Sequence, residues 1–230
     1  MATKLDGTEQ PRTPLSRDRI LLAAIELADR EGLEALSMRK LAHDLDVVAM
    51  ALYRHVASKD ELLDAMVETV VGEIDPPEAG LEWNEAMRRR ILSARRMLQR
   101  HPWAARAIES RSDPTPAVIG YYDEMIGLFL AGGFTIELTH HALHAMGSRL
   151  LGFTQELFDD TPPDVAPEIE VEMYRAMSER YPNIGALVEI VMHDDASRVG
   201  DRGCDDQFEF EFALDLMLEG LERLRDRASS

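Results

Sequence analysis

The sequence is short of cysteine, of lysine and of long apolar runs. Its one cysteine, Cys204, has no partner for an intrachain disulfide, which excludes a disulfide-stapled scaffold and suits a reducing compartment. The longest apolar runs fall far short of the ~20 residues that a membrane span needs, and the polar first 19 residues lack the apolar core of a secretory signal. We therefore expect a cytoplasmic protein with no membrane partner.

Positive charge is also scarce, and it is unevenly distributed. The chain has 230 residues and a formal net charge of −18. Residues 1–59 contain nine basic and nine acidic residues, whereas residues 60–230 contain sixteen arginines against thirty-four acidic residues. Because a phosphate backbone attracts basic surfaces, any DNA contact must come from the N-terminal quarter, with the acidic body held away.

Helical periodicity dominates the sequence. The one stretch with a period of two, residues 208–212, continues into a helical stripe and is interpreted as the start of a helix. Cap residues, prolines and glycines predict helices at 16–32, 37–45, 48–55, 58–74, 82–100, 102–110, 116–131, 135–158, 167–180, 182–193 and 208–226. The chain is predicted to be all-α, with a flexible arm at 1–15, a first domain at 16–74, a second at 82–227 and a mobile loop at 194–206.

Two of these helices surround a tight turn at Asp46. Their spacing fits a helix-turn-helix, whose second helix enters the ~12 Å wide major groove while the first crosses the phosphate backbone. The N-terminus of the helix that begins at Ser58 would add amide groups for a phosphate. Capped helix pairs also occur in proteins that never touch DNA, so the spacing alone leaves both interpretations open.

Three strings in the first domain resemble the tetracycline-repressor (TetR) family. They are Leu-Ser-Met-Arg-Lys-Leu-Ala at 36–42, Ala-Leu-Tyr-Arg-His-Val at 51–56 and Ser-Lys-Asp-Glu-Leu-Leu at 58–63. Trp83 at the start of a long helix, Gly-Phe-Thr at 133–135 and the ending at 210–222 resemble the tetracycline-repressor type of C-terminal domain. The resemblance implies a dimer with an N-terminal three-helix DNA-binding domain and a larger helical domain for ligand binding and dimerisation.

The resemblance also implies a set of DNA-binding residues. Carried onto this chain, they are Ser37, Met38, Arg39, Val48, Ala49, Met50, Ala51, Tyr53, Arg54, His55 and Lys59. Two features depart from the family pattern. Asp46 replaces the usual glycine at a position that favours positive φ. Residues 48–51, which the resemblance implies face the bases, offer no side-chain hydrogen bond, although they can contact thymine methyl groups. Specificity would then rest on Arg39, Arg54, backbone groups and DNA shape.

The second domain is expected to hold a small-molecule effector. The positions implied to face the pocket are Arg90, Ala94, Ile108, Met125, Phe129, His140 and His144, which suit a largely apolar molecule. Ile108 occupies the position of the magnesium-binding histidine of the tetracycline repressor, and Glu156 alone cannot hold the ion, so a tetracycline–magnesium effector is not expected. Only one Glu-x-x-His is present, at 137–140, so neither a metal nor another cofactor is expected.

The helix at 135–158 has few charges and is expected to be buried on both faces. Together with the helix at 208–226 it could form a four-helix core between two copies of the chain. No nucleophile elbow or glycine-rich phosphate loop is present, so an enzyme is not expected. The favoured hypothesis is a homodimeric repressor that binds a palindromic operator in double-stranded DNA and is released by an effector. The alternative is a helical small-molecule or metal-binding protein with a weakened DNA-binding module.

Overall fold

A computed structural model describes residues 14–111, 113–152, 175–176, 178–183, 185–186 and 206–228. Every regular element among these residues is helical, which confirms the all-α prediction. The helices are α1 (Arg17–Glu31), α2 (Met38–Asp44), α3 (Ala49–Leu52), α4 (Lys59–Val71), α5 (Trp83–Arg100), α6 (Trp103–Glu109), α7 (Pro116–Ala131), α8 (Ile136–Gly152) and α9 (Asp206–Ala228), with a 3-10 turn at Leu33–Ala35. In this described part of the chain, no helix has both the length and the apolar character to cross a bilayer.

The chain divides into two compact units, residues 1–144 and 145–230, and each is described by itself. Several predicted segments lie wholly or largely outside the described residues: the arm at 1–15, the helices at 167–180 and 182–193, and the loop at 194–206.

Helices α1 to α4 form the first part of the larger unit. Ser16 accepts a hydrogen bond from the amide of Arg19 at 3.2 Å, and Ser37 accepts one from Lys40 at 3.2 Å, so both predicted N-caps form. The core beneath them includes several fully buried large side chains, among them Ile20, Leu41, Leu52, Leu62 and Met66. Each such side chain contributes about 1.5–3 kcal/mol of burial free energy, which holds the four short helices together.

The turn between α2 and α3 is as tight as the spacing predicts. Asp46 has φ 54°, a left-handed conformation that costs a non-glycine residue about 1–2 kcal/mol. The amide of Val47 then donates to the carbonyl of Ala42 at 2.9 Å and closes the turn. Helix α3 can therefore begin within three residues of this turn.

Two predicted boundaries are wrong. Helix α3 covers Ala49–Leu52 instead of 48–55, because the chain tightens after Leu52 to turn Val56 into the core and to extend Ser58 as the next N-cap. Helix α4 ends at Val71 instead of 74, because Gly72 is a poor helix former and the next two amides make i to i−3 bonds.

In the body, the start of α5 packs against the end of α7. The ring centroids of Trp83 and Phe134 are 4.6 Å apart, and those of Phe129 and Phe134 are 5.0 Å apart. A Cβ atom at Gly132 would lie 2.6 Å from Cγ of Trp83, so glycine is required where the chain leaves α7. The Gly132-Gly133 pair therefore ends α7, as predicted, and also makes room for the aromatic cluster.

In the single chain α8 is buried on one face, and burial of its second face against a partner copy stays a prediction. Thr139, Ala142 and Met146 are buried on one face, whereas Glu137, His141 and His144 on the opposite face are exposed. In α9 the buried positions are Phe210, Leu214, Leu218 and Leu221. The alternating stretch at 208–212 is helical, as predicted, because its aromatic residues continue the apolar pattern of that helix.

Candidate DNA-binding site

The structure presents most of the predicted DNA-binding residues on the outside of α2 and α3. Exposed members are Ser37, Arg39, Val48, Met50, Tyr53, Arg54 and Lys59, and half-buried members are Ala49, Ala51 and His55. Met38 does not belong to this surface. It is only 9% exposed, because it begins the buried stripe of α2 that continues through Leu41, Ala42 and Leu45.

Exposed cations on this surface differ in how they are paired. Arg39 and Arg54 have no ion pair and no side-chain hydrogen bond within the described part of the chain. Lys40 forms an ion pair with Glu31, and Nζ of Lys59 donates to the carbonyl oxygen of Leu36 at 2.6 Å. Arg39 and Arg54 are therefore the side chains of this group that can meet a phosphate without first breaking a bond.

The N-terminus of α4 is less open to a phosphate than the sequence predicts. Ser58 Oγ accepts from the amide of Glu61 at 3.0 Å, and the Glu61 carboxylate accepts from the amide of Ala57 at 2.6 Å. This is a capping arrangement in which the glutamate reaches one residue further back than in the usual box. With Asp60 also in the first turn, two carboxylates now lie where a phosphate would bind.

Apolar side chains occupy the centre of the surface. Val48 is 72% exposed and Met50 is 70% exposed, whereas the neighbouring Leu52 is fully buried and anchors α3 to the core. Tyr53 is 45% exposed at the end of the helix. The surface thus combines two exposed apolar side chains, Val48 and Met50, with two arginines, Arg39 and Arg54, that have no partner among the described residues.

The predicted effector residues lie in the body. Ala94, Met125 and Phe129 are buried, Ile108 is half-buried, and His140 and His144 are exposed on α8. The His140 and His144 ring centroids are 4.6 Å apart. Among the described side chains no group of three or more potential ligands could hold a metal ion.

Arg90 has a different role from the predicted one. It is 7% exposed, and Nη1 donates to the carbonyl oxygens of Ile74, at 3.2 Å, and Asp75, while Nη2 forms an ion pair with Glu124. Its guanidinium lies 4.9 Å from the ring centroid of Tyr121. Arg90, on α5, therefore links residues 74–75, where the chain leaves the DNA-binding module, to α7. Its charge is neither solvated nor open to a ligand.

The same connection is secured by Asp75. Its amide donates to Ser93 Oγ at 2.9 Å, and its carboxylate accepts from Ser93 at 2.8 Å and from Arg96 at 2.8 Å. The Ser93 hydrogen bond, and then the Arg96 guanidinium, lower the pKa of the Asp75 carboxyl. Residues 74–75 are therefore fastened to α5.

Two features of the body were not predicted. Oδ1 of Asp29, on α1, accepts a hydrogen bond from Nε1 of Trp103 at 2.6 Å. The same oxygen lies 2.7 Å from Nδ1 of His101. The buried hydroxyl of Tyr121 has no hydrogen-bond partner among the described atoms, and burial raises the pKa of its phenol. The predicted helix break at His101-Pro102 is a sequence signal next to the Asp29 contacts, but no local pattern indicates that the Tyr121 hydroxyl is buried.

Two short helices joined by a tight turn, with an exposed second helix and with arginines that have no partner among the described residues, are the arrangement of a helix-turn-helix DNA-binding module. Residues 20–66 match the family described as "Bacterial regulatory proteins, tetR family", and residues 76–225 match "Tetracyclin repressor-like, C-terminal domain". The chain belongs to the TetR family of transcriptional regulators, and it is not an enzyme.

Individual relatives agree with this assignment. The chain is 39% identical to an HTH-type transcriptional regulator of Saccharopolyspora erythraea over 129 residues, which is 55% of each chain. It is 30% identical to the class G tetracycline repressor protein of Vibrio anguillarum over 220 residues, which cover 93% of this chain and 96% of that one. The crystal structure of the Streptomyces coelicolor TetR family protein ActR in complex with actinorhodin has a TM-score of 0.65 and 27% identity, and the match covers 93% of this chain and 99% of that one.

Proposed function

We propose that this chain is a cytoplasmic repressor that binds a palindromic operator in double-stranded DNA as a homodimer and releases it when a small molecule binds. The observation that carries the proposal is the surface of α2 and α3. In a chain with a net charge of −18, Arg39 and Arg54 have no partner among the described residues, and in the sequence they stand on either side of the exposed Val48 and Met50. Unpaired cations on one surface of an acidic protein orient that surface toward a phosphate backbone.

The proposed homodimer uses the helices at 135–158 and 208–226. Support comes from an apolar ridge on the outside of α9, where Phe212 is 54% exposed and Leu216 is 56% exposed. Residues four apart form one ridge of a helix, and Gly220 continues this ridge with open space around its Cβ position. A second copy of the chain that packs on the ridge would remove this surface from water, and its helix could approach α9 closely at Gly220.

The dimer can be tested by sedimentation of one variant and a matched control. Leu216→Arg should sediment as a monomer, because a dimer would bury an unpaired charge. Leu130→Arg introduces the same charge at a residue of α7 that is 42% exposed, and it should remain a dimer. A dimeric Leu216→Arg protein would show that another surface joins the subunits.

The effector is proposed to be largely apolar and to bind in the body among Ala94, Ile108, Met125, Phe129, His140 and His144. Three of these side chains are buried and apolar, and the buried Tyr121 hydroxyl is available to one polar group of a ligand. The solved relative ActR contains actinorhodin, which supports a small molecule in this kind of body.

Arg90 is proposed to couple the effector site to the DNA-binding module. Arg90→Met should weaken operator binding by a factor in the usual range of allosteric coupling, about 5–150-fold, because residues 74–75 lose their tie to α5. Arg89→Met is the matched control, since Arg89 is 52% exposed and its ion pairs within the described part of the chain are with Glu78 and Glu85. Thermal unfolding of both variants separates a loss of coupling from a loss of fold.

The decisive experiment is selection from random duplex DNA by the purified protein at two salt concentrations. Enrichment of a palindrome whose half-sites lie about 34–36 Å apart, bound less tightly at the higher salt, would support a dimeric regulator. No enrichment at either salt would contradict the proposal. It would favour the alternative, a ligand-binding protein with a weakened DNA-binding module.

A further inference from the structure

The residues that face the bases have unusual chemistry for a DNA-reading helix. Val48 and Met50 are the most exposed large apolar side chains of the module, at 72% and 70%. Between them and beside them are Ala49 and Ala51, which have no hydrogen-bonding side chain either. The projecting part of α3 therefore has no side-chain group able to read the donor and acceptor pattern of a base pair.

The major groove presents one kind of apolar group that such a helix can recognise. Adenine, guanine and cytosine present only hydrogen-bond donors and acceptors along the groove, whereas thymine adds its C5-methyl group. Polar side chains that could form bidentate base contacts stand before and after this segment in the sequence, at Arg39 and Arg54, which have no partner among the described residues and can also bind phosphates. The centre of the surface is thus complementary to methyl groups, and its borders are complementary to the backbone.

We propose that Val48 and Met50 read thymine methyl groups, so that each operator half-site presents thymines to the start of α3. This inference rests on the proposed function and specifies its chemistry. Burial of one methyl group corresponds to about fourfold in affinity, so loss of one contacted methyl from each half-site of a palindrome should weaken binding about fifteenfold.

The test replaces thymine with deoxyuridine in the selected operator, one symmetric pair of positions at a time. This change removes the methyl group and retains base pairing and the O4 acceptor of the groove. We expect one or two positions per half-site to show the weakening given above when binding is measured by fluorescence anisotropy. The other thymines should tolerate the change.

Protein variants assign the effect to individual side chains. In Val48→Ala or Met50→Ala, the penalty for deoxyuridine at the matching position should disappear, because the side chain that contacted the methyl is gone. Both residues are exposed, so their truncation should leave the thermal midpoint unchanged. Ile119→Ala removes a 55% exposed apolar side chain from α7, and this control should keep both the affinity and the deoxyuridine penalty of the wild type.

The outcomes separate this inference from the proposed function. An operator that is bound equally well with thymine or deoxyuridine at every position would overturn methyl readout and leave the repressor intact. A deoxyuridine penalty that persists in both alanine variants would also overturn the assignment to these residues. If no duplex is selected at all, the proposed function fails, and the inference fails with it.

Discussion

The salt dependence of operator binding can be worked out from the pairing of the cations. Arg39 and Arg54 are the exposed cations of the α2–α3 surface without a partner in the described part of the chain, so a dimer brings four of them to the DNA. At about 0.9 counterions released per neutralised phosphate, the slope of log K against log salt should be about −3.6. Raising the salt from 50 to 200 mM should then weaken binding about 150-fold.

Arg39→Ala removes two of those contacts from the dimer. Its slope should fall to about −1.8, and the same change in salt should cost only about 12-fold. The measurement is a series of anisotropy titrations on the selected operator at four or more salt concentrations. The Arg39 side chain is exposed, so the variant should fold like the wild type.

Two controls make this prediction specific. Lys40→Ala should change the slope less than Arg39→Ala does, because Lys40 is already paired with Glu31. Arg89→Ala removes a paired arginine from the body, far along the chain from α2 and α3, and should leave the slope unchanged. If Arg39→Ala kept the wild-type slope while Lys40→Ala flattened it, our assignment of the phosphate-binding cations would be wrong.

Three further predictions concern stability and are measured by thermal or urea unfolding. Asp46→Gly should stabilise the protein by about 0.5–1 kcal/mol, since glycine adopts φ 54° without steric cost, whereas Asp46→Ala should destabilise it. Gly132→Ala should destabilise by about 1–3 kcal/mol, because the new Cβ would collide with the Trp83 ring. Ser58→Ala should cost about 1 kcal/mol through loss of the cap on the Glu61 amide.

Cap residues and apolar periodicity predict the helices of the module well. They fail for helix boundaries that depend on contacts with residues distant in the sequence. Ser16 and Ser37 cap their helices because the interaction lies within four residues. Helix α3 is shorter than its pattern indicates, because Val56 must reach a core built from other helices. The apolar pattern of residues 48–55 does not contain that constraint.

Which of the proposed site residues are exposed could not be predicted one by one. Met38 is adjacent in sequence to Arg39, yet one is buried and the other exposed, since neighbouring residues on a helix point 100° apart. The resemblance implies a ligand contact at Arg90, whereas its guanidinium donates to the backbone carbonyls of Ile74 and Asp75, 16 and 15 residues away. A backbone acceptor leaves no mark in the sequence, so such a contact is visible only in the fold.

Hydrogen bonds hold the DNA-binding module against the helices of the body. Arg90 and Ser93 on α5 hold residues 74–75, and Trp103 on α6 donates to Asp29 on α1. The position of α3 therefore depends on how α5 and α6 lie, although neither helix contributes a residue to the DNA surface. A ligand shifts such an equilibrium only by its different affinity for two arrangements. An effector in the body would weaken operator binding by favouring an arrangement in which these hydrogen bonds are changed. Bound operator must then weaken effector binding by the factor by which the effector weakens operator binding.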